Sequence, residues 1–157
     1  NMYEIVRPPT RPKKGYFSRC SHFSVELIKK QWAMFEQNIS RRRKIAGEYR
    51  KTLVNHPHFQ LPAIPPGVEP SWIQFPLLVK DKHDFYKYMQ RKGIDITWTY
   101  RYSCAQEYSQ QDCPNAEKIA RSILSLPCYP DLTDVEVQRV CKAAAEYTGP
   151  QTWENSF

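Results

Sequence analysis

The sequence predicts an α+β fold: a short, mostly antiparallel sheet packed by helices in two layers, with one long helix on its N-terminal side. Three observations predict it. An apolar stripe at helical spacing runs from Ile28 to Leu53. Beyond it, residues 71–79, 94–100 and 124–126 read as short strands, rich in aromatic and branched side chains. Helical segments alternate with these strands, and 157 residues suit one such domain.

In chain order, residues 1–23 read as a basic, proline-rich arm. Proline lacks a backbone donor and pushes the preceding residue out of helical space, so extended chain is expected there. From residue 24 to the end the chain reads as the folded domain. Ile28, Trp32, Phe35, Ile39, Ala46, Tyr49 and Leu53 follow a four-three alternation, with Arg42 breaking the stripe. Ser24 serves as N-cap and Pro57 stops the run. The predicted helix is about 30 residues, against the usual ~11–12. Such a helix seeks a neighbour, and self-association around residues 1–53 is expected, with Trp32 and Phe35 as anchors.

Residues 56–70, punctuated by proline and Gly67, read as loop, with His56 and His58 in solvent. The strand over 71–79 contains Pro76, which argues for an edge position or a bulge. Asp81 caps a helix running through Lys92, with Gly93 as its stop. After the strand at 94–100 come a polar loop over 101–114 and a helix over 115–123. The short strand at 124–126 is closed by Pro127 and Pro130. Thr133 and Glu136 form a capping box ahead of the stripe Val137, Val140, Cys141 and Ala144.

Composition excludes several classes. No run of roughly 18 apolar residues occurs, so no membrane helix is expected, and a cytoplasmic location follows. Five glycines form no phosphate loop. The cysteines at 20, 104, 113, 128 and 141 lack close spacing, and the histidines lack a metal-ligand pattern, so no metal site is expected. Charge is uneven: residues 1–55 hold 13 basic and 4 acidic side chains, residues 56–157 hold 10 and 12. The run Arg41, Arg42, Arg43, Lys44 points around most of a helical turn and reads as a solvated surface. Trp98, Tyr100 and Tyr102 would share one face of a strand. A stacking platform for nucleic acid would need that face exposed, and packing beneath a helix is the preferred reading.

Several segments in order resemble one family. They are Gly15-Tyr16-Phe17-Ser18-Arg19, the helix ending Glu48-Tyr49-Arg50-Lys51-Thr52-Leu53, Trp72-Ile73-Gln74-Phe75-Pro76, Lys92-Gly93-Ile94, Pro114-Asn115-Ala116-Glu117 and Leu124-Ser125-Leu126-Pro127-Cys128-Tyr129-Pro130. The series resembles the C-terminal part of the DegT/DnrJ/EryC1/StrS aminotransferases, over residues 15–147. The resemblance implies the small domain of a fold-type-I, pyridoxal-phosphate-dependent enzyme that aminates nucleotide-linked keto-sugars, commonly from glutamate. The family's Schiff-base lysine lies in its large domain, in a Ser-x-x-His-x-x-Lys context. None of the twelve lysines here has that context.

The resemblance therefore implies no catalytic residue in this chain and no cofactor bound by it alone. Its partners would be a large domain or a second copy. Phe17 stands where the family commonly has an asparagine reaching the cofactor phosphate, and a phenyl ring cannot donate that bond. Arg19 retains the family's arginine as a cofactor-side cation. Trp98, Tyr100 and Tyr102 lie where the family approaches its substrate. Tyr100 keeps the tyrosine of a His-Tyr pair, and Thr99 replaces the histidine. The alternative is a free-standing interaction module that turns its basic arm and long helix to an acidic partner or nucleic acid.

Overall fold

The computed structural model describes residues 19–104 and 113–149. The expected arm falls largely outside them, as do Phe17 and most of the polar loop. The chain divides into two compact units, Asn1–Phe35 and Glu36–Phe157.

In the first unit, α1 spans His22–Ala33. Its N-cap is Ser21, whose hydroxyl accepts from the Ser24 amide at 3.1 Å. No residue of α1 is buried. Phe23, Leu27, Ile28 and Trp32 are all exposed, and Trp32 stacks on Phe35 at 5.1 Å. The single long helix expected from the stripe is therefore two. The helix turns at Met34, whose amide bonds back three residues to the Gln31 carbonyl, the tighter pattern of a last turn. No proline or glycine marks the break, which is why periodicity read through it.

The second unit holds α2 (Phe35–Leu53, from Glu36 onward), β1 (Phe59–Gln60), β2 (Phe75–Val79), α3 (Lys82–Arg91), α4 (Pro114–Ser122), β3 (Ile123–Leu126) and α5 (Asp134–Ala145). The strands form one antiparallel sheet in the order β1-β2-β3. Helices pack on it around Ile45, Tyr49, Leu53, Phe75, Leu77, Phe85, Met89, Val140 and Ala144, all buried. Tyr49 meets the Phe75 ring edge-on at 5.2 Å, and its hydroxyl donates to the Pro127 carbonyl at 2.9 Å.

Three strand expectations change. β2 begins at Phe75, because Trp72 sits at φ 49°, left-handed backbone that no strand contains. β2 is also central rather than an edge. Pro76 faces Ser125, whose amide and carbonyl are both given to Thr97 on the far side. The side of Pro76 that lacks a donor therefore points away from β3, beyond the two residues that β1 contributes. The strand expected at 94–100 reduces to a single bridge between Thr97 and Ser125. The residues around Phe59, expected as loop, supply β1 instead.

The first cap moves, from the expected Ser24 to Ser21, while the punctuation of α3 and α5 reads as expected. Asp81 accepts from the Asp84 amide at 2.8 Å. Gly93 follows α3 at φ 68°, and the Ile94 amide reaches back to Met89 while Gly93 reaches Gln90, a Schellman ending that requires the left-handed residue. Thr133 and Glu136 close the capping box of α5 from both sides.

His58 is not solvated, and His56 is half-buried. His58 is buried against the edge of Tyr147, and His56 stacks on Phe59 at 4.5 Å with Nε2 against the Ala145 carbonyl at 3.1 Å. The apolar residues after the proline draw both rings inward.

Candidate functional site

The segment from Ile96 to Ser103 carries most of the sequence-predicted site. Ile96 is buried, which anchors the segment on the core. Thr97 pairs with Ser125 through two backbone bonds of 2.9 and 3.0 Å, and the Thr99 hydroxyl meets the Ser125 hydroxyl at 2.9 Å. The segment is thus pinned along the outer edge of β3 for a few residues and then leaves it.

Because it leaves, Trp98, Tyr100 and Tyr102 do not share a strand face. Trp98 turns toward α3, where it packs edge-on against Tyr86 at 5.4 Å and His83 at 6.0 Å. Tyr100 and Tyr102 stay exposed. Arg19 is exposed and belongs to the first unit.

The sequence reading missed Lys82. A lysine in the first turn of a helix is ordinarily solvated, yet this residue is 5% exposed. Its Nζ donates to the Ala120 carbonyl at 2.9 Å and to the Tyr100 carbonyl, and lies 4.5 Å from the Trp98 ring centroid. Burial among neutral groups lowers its pKa to about 8. The signal was present: Lys82, Phe85 and Met89 fall on one face of α3, and all three are buried.

Above pH ~8 the folded amine has lost its proton, while the unfolded one holds it to about 10.4. Between those values the unfolded state binds more protons, so Lys82 makes stability rise with pH. Urea midpoints at pH 7 and 9.5 are expected to diverge between the natural chain and Lys82→Met, with the natural chain gaining on the variant at the higher pH. Equal slopes would show that the amine is not desolvated.

The arginine run was misread in its first half: Arg41 and Arg42 are half-buried, whereas Arg43 and Lys44 are exposed as expected. Arg41 reaches Asp134 at 2.6 Å and the Leu132 carbonyl. Arg42 Nη1 donates to the carbonyls of Ile73 at 2.9 Å, Trp72 at 3.3 Å and Cys128 at 2.5 Å. Arg43 pairs with Glu69 at 2.9 Å, and Lys44 with Asp134 at 3.1 Å. Hydrogen bonds from Arg41 and Lys44 hold the Asp134 carboxyl below its usual range. The four cations tie α2 to two loops of its own unit and to the start of α5.

Pyridoxal phosphate needs a free amine and a phosphate cradle of backbone amides. Lys82 is the described amine with a lowered pKa, and its nitrogen is committed to two main-chain carbonyls. No glycine-rich turn adjoins it, because Gly93 and Gly67 close other turns. The described residues do not fit covalent capture of the cofactor.

A three-stranded antiparallel sheet packed by helices, with a pinned aromatic segment at one edge, makes the second unit an α+β domain. The DegT/DnrJ/EryC1/StrS aminotransferase family model matches residues 6–145, and the chain belongs to that family. The family uses pyridoxal phosphate. The chain is 27% identical over 139 residues to the dTDP-3-amino-3,6-dideoxy-alpha-D-galactopyranose transaminase of Aneurinibacillus thermoaerophilus, covering 85% of this chain and 38% of that protein. It is 26% identical over 141 residues to the dTDP-3-amino-3,4,6-trideoxy-alpha-D-glucose transaminase of Streptomyces venezuelae, covering 85% and 37%. The crystal structure of S. venezuelae DesV superposes with a TM-score of 0.75 at 26% identity, over 87% of this chain and 40% of that one. The chain thus spans well under half the length of the relatives it matches. Among the described residues, no helix is long and apolar enough to cross a membrane.

Proposed function

We propose that this chain is the C-terminal part of a cytoplasmic, pyridoxal-phosphate-dependent nucleotide-sugar aminotransferase. Residues 24–157 act as its small domain and residues 1–23 as a basic arm. The amino group would pass from an amino acid such as glutamate to the ketone of a sugar nucleotide. The observation that carries this reading is alignment with two nucleotide-sugar transaminases across 85% of the chain.

Pyridoxal phosphate, held by the large domain, would supply an electron sink for the chemistry at the amino acid's α-carbon. The lysine that holds it belongs to sequence outside these residues. Tyr100 and Tyr102 present exposed rings to the substrate. Trp98, turned in against α3, keeps that segment in place. Arg19 offers a cation to the cofactor side, and Phe17 leaves the asparagine's hydrogen bond unmade. The exposed apolar residues of α1 support assembly with a second copy or with the large domain.

The chain alone, given cofactor, glutamate and a keto-sugar nucleotide, is expected to show no turnover. Fusion to a family large domain bearing the Ser-x-x-His-x-x-Lys segment is expected to restore amino-sugar formation. A folded, cofactor-loaded fusion without product would sink the aminotransferase reading. Turnover by the chain alone, with one lysine stoichiometrically trapped by borohydride, would overturn the placement of the lysine elsewhere.

A further inference from the structure

The start of α3, the end of α4 and the segment after Thr97 meet at one side chain, Lys82. Its Nζ donates to the Ala120 carbonyl at 2.9 Å and to the Tyr100 carbonyl. Ala120 lies in the last turn of α4, where carbonyls have no helical donor. Tyr100 has already left the sheet, whose last backbone pair on that edge, among the described residues, is Thr97 with Ser125. The amine also stands over the Trp98 ring, 4.5 Å from its centroid, and that ring packs against His83 and Tyr86. One nitrogen therefore joins three separate stretches of chain.

Packing alone does not call for an amine there. Lys82 shares the buried face of α3 with Phe85 and Met89, and a methionine would fill the position without burying a charge. The buried amine carries a desolvation cost, which lowers its pKa to about 8. What it supplies and a methionine would not is a donor to each of two carbonyls. Tyr100 and Tyr102 carry exposed rings on backbone that one of those bonds holds.

We propose that Lys82 is a positioning residue: through the Tyr100 carbonyl and the Trp98 face it sets where Tyr100 and Tyr102 stand relative to a bound sugar nucleotide. It touches no substrate itself. This role rests on the aminotransferase reading, in which those rings face the substrate. A displacement of about 1 Å is enough to cost such a site much of its efficiency.

Trp98 reports on the brace. Its Nε1–H is buried and has no hydrogen-bond partner, so it exchanges with solvent only when the segment opens. NMR of the full chain at pH 7 reads that exchange from the indole resonance. Lys82→Met is expected to speed it roughly tenfold or more, through loss of a charged hydrogen bond, while the amides of α5 keep their rates. Lys80, Asp81, His83, Arg101 and Arg121 line the same cleft, so the titration needs controls. The indole proton is expected to shift with pH around a midpoint of about 8 in the natural chain, in His83→Gln and in Tyr86→Phe, and not in Lys82→Met. In the fusion to a family large domain, Lys82→Met is expected to raise the KM for the keto-sugar nucleotide roughly fivefold or more, with kcat within about twofold. Unchanged indole exchange in Lys82→Met overturns the proposal, as does a natural chain whose indole proton does not titrate near pH 8, or an active fusion whose KM ignores the change. A cofactor-loaded fusion without product sinks the aminotransferase reading and the assignment of the ligand with it, while faster indole exchange in Lys82→Met still identifies Lys82 as the brace of the segment.

Discussion

Replacing Tyr49 by alanine is expected to lower the stability of the second unit by about 3–5 kcal/mol, read as a fall in the urea midpoint. The ring is fully buried on α2, edge-on to Phe75, where helix and central strand meet. Removing it leaves a cavity that β2 cannot fill, because β2 is paired on both sides. Tyr49→Phe separates the two contributions. It keeps the ring and leaves the Pro127 carbonyl without its donor, for a loss of about 1–2 kcal/mol. Burial holds the phenol's pKa far above its ordinary value, so neither loss should vary between pH 6 and 9. An alanine variant within about 1 kcal/mol of the natural chain would show that the helix does not dock through this ring.

Arg42→Met is expected to cost about 2–3 kcal/mol, large for a charged residue in a run of four. The change keeps the aliphatic stem and removes the donors to Trp72, Ile73 and Cys128. Those carbonyls sit where chain geometry is least regular. Trp72 is in the left-handed region, and Cys128 follows Pro127. Without the guanidinium, three acceptors lose a partner and the Trp72 turn loses its brace. The Cys128 thiol, pushed up to about 11 by burial with Arg42 opposing, should rise further in the variant. A loss below ~0.5 kcal/mol, the range of ordinary surface changes, would return Arg42 to the solvated surface.

What could be read in advance depended on how local its cause was. The cap at Asp81, the stop at Gly93 and the box at Thr133 arise from bonds spanning three to five residues, and each stands where the sequence put it. β1 was illegible, since its two residues become a strand only because Val79 and Leu78 lie beside them. Residues 94–100 failed in the opposite direction. Their branched and aromatic composition suits a strand, but only Thr97 finds a backbone partner on β3. At the site, the segment's position was legible and its facing was not, because alternation holds only inside a ladder. Arg42 and Lys82 were hidden by their charge. Each occupies an apolar register position, and register decided their placement over polarity, with carbonyls satisfying the buried Lys82 and the half-buried Arg42.

The Arg42 bonds span 30, 31 and 86 residues of sequence, and the Tyr49 bond spans 78. Contacts so distant along the chain form only after long loops close, and that search slows folding. α2 can coil early, but its docking waits for the segment at 127–128 to arrive. During synthesis the helix therefore leaves the ribosome well before its acceptors do, with its apolar side uncovered throughout that interval. The clasp that makes the finished unit firm thus makes its nascent form a natural client for chaperones.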